Sequence, residues 1–184
     1  MKKVVVTIVV CILVVQFCMA ASPDTNLVLM ASEIEDKYDL PNGLLLAIAE
    51  VESDFNAGCK TGKCWGLMQI HSTYAPEYAK LAGMDEFDLF DPEDSMNIAA
   101  AMLRDYMDRY EGDIHFTLMA YNLGEWGARS RRSNGVQDTR YSRKVVSKIE
   151  EYANLETSTL ARVMEDKITI MYGLRRTIQG VIFK

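Results

Sequence analysis

Over most of the stretch from Leu27 to Tyr152 apolar residues return at every third or fourth position, and nowhere do they alternate long enough to build a sheet. That pattern restricts the chain to helices packed on helices. Leu27, Met30, Ala31, Ile34 and Tyr38 mark one helix, and Pro41-Asn42-Gly43 parts it from a second that carries Leu44, Leu45, Ile48, Ala49 and Glu52. Asp91-Pro92 reads as a helix start, with Asp as cap and Pro in the first turn. The helix behind it runs to about Tyr110, with Ile98, Met102 and Tyr106 facing inward. Asp113 caps another, from Ile114 to about Asn122. Residues 123–137 are polar and carry glycines, which predicts a loop, and a helix follows from about Asp138 to Tyr152. Residues 57–70 hold Gly58, Gly62 and Gly66 and read as irregular, with room for one short hairpin. The expected fold is all-α, or α with a minor β-hairpin, in a single domain over 25–153, and 184 residues suffice for one ordinary core.

The two ends differ from this body. Lys2 and Lys3 precede an apolar run from Val4 to Val15, broken only by Thr7, and small residues follow at Ala20 and Ala21. Residues 1–20 fit a secretory signal peptide, with an uncleaved membrane anchor as the other reading. Either way the expected location is secreted, periplasmic or on the cell-envelope exterior. Residues 154–184 read as a C-terminal extension, helical where Leu160, Val163, Met164, Ile168 and Met171 share a side, and a candidate docking element for a membrane or an envelope complex. Loss of residues 1–20 removes two lysines and no acid, which takes the formal charge from −6 to −8. An acidic chain gains no attraction to phosphate backbones, so nucleic acid is not an expected partner; a monomer is. Cys59 and Cys64 remain after that loss, and an oxidising compartment predicts a disulfide that closes a short loop. With only His71 and His115 beside them the chain offers no zinc set, and neither metal nor cofactor is expected.

In the stretch EVESDFN, Glu50, Glu52 and Asp54 occupy alternate positions. On a strand all three carboxylates would share a face. On a helix each residue turns by about 100°, which places Glu52 on the stripe of Leu45, Ile48 and Ala49 and turns Glu50 and Asp54 outward. A carboxyl on an apolar stripe tends to keep its proton, because desolvation disfavours the anion. That is the state a general acid needs near neutral pH. A carboxylate that caps or pairs within the core, or that reaches solvent at the helix end, would leave the same pattern.

Other segments decide between these readings. Glu52-Ser53-Asp54-Phe55-Asn56, Gly66-Leu67-Met68-Gln69-Ile70 and Ala120-Tyr121-Asn122-Leu123-Gly124, joined by Phe90-Asp91-Pro92-Glu93 and Asn97-Ile98, stand in an order and spacing that resemble the soluble lytic transglycosylase family, a branch of the lysozyme superfamily. The resemblance spans roughly residues 27 to 153. It implies a lysozyme-like fold, peptidoglycan glycan strands as substrate, Glu52 as catalytic acid and Ser53 as the hydroxyl beside it. It further implies that Met68 and Gln69 reach the glycan, that Tyr121 and Asn122 stand near the cleavage point, and that Tyr141 holds the acid. Thr139-Arg140-Tyr141 is one residue shorter than the family's usual spacing between arginine and tyrosine. Trp65 and the Cys59/Cys64 pair are local departures, and Trp65 either stacks on a sugar or packs.

The resemblance implies cleavage of the β-1,4 bond between N-acetylmuramic acid and N-acetylglucosamine with formation of a 1,6-anhydro ring. A retaining glycosidase places a second carboxyl about 5 Å from the acid, and an inverting one roughly 6.5–9.5 Å away. Asp54 shares no helix face with Glu52, and nothing in the sequence singles out Asp85, Asp88, Glu93 or Glu125 for that task. A hydrolytic muramidase on the same fold and a non-catalytic glycan-binding protein stand as the alternatives.

Overall fold

Asp24 opens the first helix, α1 (Thr25–Tyr38), by accepting the Leu27 amide at 2.8 Å, and the helix closes on Asp39 in the left-handed region. The computed structural model describes residues 22–182, so the segment read as a signal peptide lies outside the described residues. Helix α2 (Leu44–Ser53) is the centre of the fold, with Leu44 to Ala49 fully buried without a break. Such a run is apolar all round because the helix is covered on every side. Helix α6 (Arg140–Ile182) and α1 pack against it, and α4 (Pro92–Arg109) closes the far side with Met96, Ile98, Ala99, Ala100 and Leu103. Asp91 caps α4 as its sequence predicts, taking the amides of Glu93 and Asp94. Helix α5 (Ile114–Ser133), capped by Asp113 through the Phe116 amide, lies between α4 and α6.

Between α2 and α4 the chain forms three two-residue strands, β1 (Lys60–Thr61), β2 (Cys64–Trp65) and β3 (Ile70–His71), paired antiparallel in that order. A short helix α3 (Ala75–Leu81), which the sequence pattern does not announce, leads away from β3 to pack on α4. The glycine-rich segment is thus a small sheet rather than one hairpin. The cysteines in it are free, against the expected disulfide. Thr61 stands opposite Cys64, and Cys59 accepts the Gly66 amide at 2.8 Å, so the two cysteines are diagonal and not opposed. Diagonal positions lie about 7–8 Å apart, beyond the ~4–7 Å between Cα atoms that a disulfide spans.

Two further expectations change. The stretch 123–137 is not a loop through most of its length: α5 continues to Ser133, interrupted only at Gly124 (φ 73°, ψ 158°). Ala128 is fully buried and Arg129 pairs with Glu125 one turn earlier, which holds the polar segment helical. The helices expected on either side of Asn154 are one continuous α6. Its apolar stripe beyond Leu160 is largely solvent-facing, with Met164, Ile168 and Met171 exposed.

Two buried carboxyls fasten α6 to the start of α2. Glu35 of α1 accepts the amides of Gly43 (2.8 Å) and Leu45 (2.6 Å), and Glu156 of α6 accepts the same Gly43 amide at 3.0 Å. Gly43 has φ +82°, and a Cβ there would lie 2.4 Å from the Ile149 carbonyl of α6. Only glycine lets the helices approach this closely. The second oxygen of Glu156 has no hydrogen-bond partner of its own, and a proton shared with the facing Glu35 carboxyl would satisfy it. Burial, then repulsion from Glu156, pushes the Glu35 carboxyl up to about 9, and burial raises Glu156 to about 7. Raised folded-state values mean that this stabilisation is complete below the unfolded value near 4.5 and is lost as pH climbs through about 7 to about 9. Urea midpoints should therefore fall between pH 5 and pH 9. In Glu156→Gln an amide donates to Glu35 where a shared proton stood, and the fall above about pH 7 should flatten; an unchanged slope would show that the pair does not carry it.

Candidate active site

Glu52 sits in the last turn of α2, two residues before Asp54, on which the helix closes at φ 53°. Its inward phase follows from the stripe of Leu45, Ile48 and Ala49, and its carboxyl is largely enclosed. Burial pushes that carboxyl up from its ordinary value, while the Tyr141 hydroxyl and the Lys144 charge pull in the opposite direction. Tyr141, in the first turn of α6, donates to Glu52 Oε1 at 2.7 Å. The shortened Thr139-Arg140-Tyr141 spacing therefore still delivers the phenol to the acid. Asp54 is exposed, as its phase predicts. Glu50 is not free in solvent: Lys148 and Tyr152 of α6 bind it, the phenol at 2.8 Å. Burial alone would raise the Glu50 carboxyl, but those two bonds hold it below the usual range. The outward face of α2 at that position is the interface with α6.

The Gly66–Ile70 segment is tied to three helices. Ser53 Oγ donates to the Leu67 carbonyl at 2.7 Å, Tyr121 of α5 donates to the Met68 carbonyl at 2.7 Å, and Ser95 Oγ of α4 accepts the Met68 amide at 3.3 Å. Gln69, at φ 47°, donates through Nε2 to the carbonyls of Cys59 and Gly66. Ser53 and the Met68 side chain are buried in this lattice. Their position fixes the segment beside Glu52, and their polar atoms are spent inside the protein. Trp65 stacks on Phe90 with centroids 6.1 Å apart and planes at 11°, under the Lys60 ammonium at 4.2 Å.

Glu52 opens into a cavity of about 920 Å³ that Cys64, Gln69, Tyr121, Asn122 and Trp126 also line, whereas Trp65 does not. Part of the lining is charged. Glu125 of α5 binds Arg109 and Arg129, each at 2.7 Å, and Arg109 also binds Asp105. The Tyr110 hydroxyl and the Arg129 and Arg109 guanidinium groups hold the Glu125 carboxyl down to about 2. The sheet on the Glu52 side bears no carboxylate in its strands: Lys60, Thr61, Cys64, Trp65, Ile70 and His71. Among the described residues no cluster of three or more His, Cys, Asp or Glu is placed to hold a metal ion. Of the residues that the sequence put forward, Glu52, Gln69, Tyr121 and Asn122 meet at the cavity. Tyr141 touches the acid from behind, and Ser53 and Met68 support the segment. Trp126 joins them unannounced, since it falls in a stretch whose polarity predicts a loop and no motif marks it.

Losing the Tyr141 bond removes an interaction that favours the Glu52 anion, so Tyr141→Phe should move the alkaline limb of the pH–rate profile upward. It should also lower kcat roughly ten- to a hundredfold by loosening the acid. A pH–rate profile superimposable on the native one would show that Tyr141 is only packing.

A helical domain with a small antiparallel sheet and one desolvated glutamate at a groove has the lysozyme-like architecture. Its structure is similar to that of lytic transglycosylase Slt of Pseudomonas aeruginosa, solved as an inactive mutant, with a TM-score of 0.58 and 20% identity over 72% of this chain and 24% of that one. The model of the transglycosylase SLT domain matches residues 30–143, and the chain belongs to that family. It is 33% identical over 104 residues to a transglycosylase of Enterobacteria phage PRD1, covering 54% of this chain and 37% of that protein. It is 32% identical over 94 residues to protein IpgF of Shigella flexneri, covering 48% of this chain and 61% of that protein. The chain thus spans less than two thirds of the length of either relative.

Proposed function

We propose that the chain is a peptidoglycan lytic transglycosylase, working outside the cytoplasm, that cuts the β-1,4 bond after N-acetylmuramic acid and leaves a 1,6-anhydro end. The observation that carries this reading is a single desolvated acid, Glu52, oriented by Tyr141 in a cavity where Asp105 and Glu125 are ion-paired and Glu77, the remaining carboxylate of the lining, is an exposed side chain of α3. Asp105 and Glu125 are bound to guanidinium groups, which ties their oxygens down and holds the Glu125 carboxyl low. An ordinary retaining or inverting hydrolase uses a second free carboxylate across the scissile bond.

With one acid the reaction closes on the substrate itself. Protonated Glu52 gives its proton to the glycosidic oxygen as the bond from C1 breaks, and the N-acetyl oxygen relieves the charge at C1. Glu52, now anionic, takes the proton from the C6 hydroxyl as O6 bonds to C1, and the acid is restored. Because the nucleophile belongs to the same sugar, its effective concentration reaches about 10⁵–10⁸ M in well-oriented cases, and no external nucleophile has to be activated. Asn122, exposed at the cavity, is the residue we assign to the acetamido group.

Mass spectrometry of digested peptidoglycan tests the reading. Anhydro ends lack one water relative to hydrolysed reducing ends. Reducing ends alone would make the protein a muramidase, and no cleavage at all would leave a glycan-binding role.

A further inference from the structure

We infer that the indole face of Trp126 is a sugar-stacking platform that binds the glycan strand away from the cleavage point. This rests on the proposed glycan substrate and adds a subsite to it. Trp126 is 83% exposed, the most exposed of the large apolar side chains described. An aromatic side chain left in water forgoes the favourable free energy of burial, and an isolated one on a convex surface would carry no message. Trp126 is instead in the wall of the cavity that contains Glu52. The helical break at Gly124 redirects α5 two residues before it, and Trp126 lies on the helix beyond that break, not on a loop tip.

The surroundings match a saccharide. β-1,4-linked N-acetyl sugars carry their substituents equatorially, so both faces of each ring present axial C–H bonds and are apolar, while the rim is polar. An aromatic face takes the first. The Asp105–Arg109–Glu125 network of the same cavity lining offers donors and acceptors to the second. Tyr74, 54% exposed and set 5.0 Å from the His71 ring, adds an aromatic from a separate element. At about 920 Å³ the cavity lies near the top of the range of small-molecule sites, roughly 300–1,000 Å³, which leaves room for more than one ring. Trp65, the tryptophan that the sequence offered for this task, is already occupied by Phe90 and Lys60.

The chain has two tryptophans, so a Trp65→Phe protein reports on Trp126 alone. With Glu52→Gln added to stop turnover, titration with the β-1,4-linked N-acetylglucosamine hexamer should shift the emission to the blue and saturate. Emission that ignores the hexamer, or that follows protein concentration as self-association would, overturns the inference. On peptidoglycan, Trp126→Ala should raise KM about five- to tenfold with kcat within about twofold, the signature of lost uniform binding. Trp126→Phe should recover most of the affinity. An unchanged KM in Trp126→Ala overturns the platform and leaves the Glu52 chemistry standing. Hexamer binding through Trp126 without any anhydro product supports the platform and overturns the proposed reaction.

Discussion

Glu52→Gln should lower kcat on peptidoglycan by roughly 10³–10⁴-fold and leave the unfolding transition within about 1 kcal/mol of native. The amide occupies the carboxyl's volume, and its carbonyl oxygen still accepts the Tyr141 hydroxyl now bound at 2.7 Å. What disappears is the transferable proton. Leaving-group protonation and C6 deprotonation both pass through this one group, so neither half of the reaction has a substitute. Glu52→Asp separates position from protonation. It keeps an acid but draws it back by a methylene from both the Tyr141 bond and the scissile oxygen, and it should lose about a hundredfold or more. Glycan affinity of Glu52→Gln, read by co-sedimentation with peptidoglycan, should stay native. Activity retained in a clean Glu52→Gln preparation would exclude the assignment. Because burial raises the Glu52 carboxyl, native activity should decline on the alkaline side as the acid ionises.

The helical phase separates Glu52 from the other two acids, because a period of 3.6 residues converts alternate positions into opposite faces. The same phase turns Glu50 outward, yet outward on α2 means toward α6, where Lys148 and Tyr152 wait. Local pattern gives the direction of a side chain and is silent about what lies there. The Asp91 and Asp113 caps are legible for the converse reason: each bonds amides two or three residues on, within reach of the motif itself. Glu35 and Glu156 carry no such mark. Each looks like an ordinary helix-surface acid, and only the packing of α1, α2 and α6 brings both onto the Gly43 amide. For residues 124–133 glycine content and polarity point to a loop, but these propensities yield to the burial of Ala128 and the Glu125 ion pairs.

Gly66→Ala should destabilise the fold by about 2–5 kcal/mol and remove activity with it. Two effects combine. Gly66 has φ +79°, a conformation that for alanine costs roughly 1–2 kcal/mol. A Cβ there would stand 1.6 Å from the Leu89 carbonyl oxygen and 2.7 Å from its carbon, inside backbone that no rotamer can clear. Leu89 is itself buried against the start of α4, so relief requires β2 or the α4 entrance to move. Either shift disturbs the Gly66 amide bound to the Cys59 carbonyl and the Gln69 amide bound to the Gly66 carbonyl, and with them the segment that Tyr121 and Ser53 hold beside Glu52. The glycine that opens the GLMQI motif is therefore explained by backbone proximity without any contact to substrate. The contrast is Gly62, which shares a positive φ of 61° but has nothing within 4 Å of the place a Cβ would take. Gly62→Ala should carry only the conformational penalty, and a urea midpoint for Gly66→Ala no lower than that of Gly62→Ala would refute the steric account.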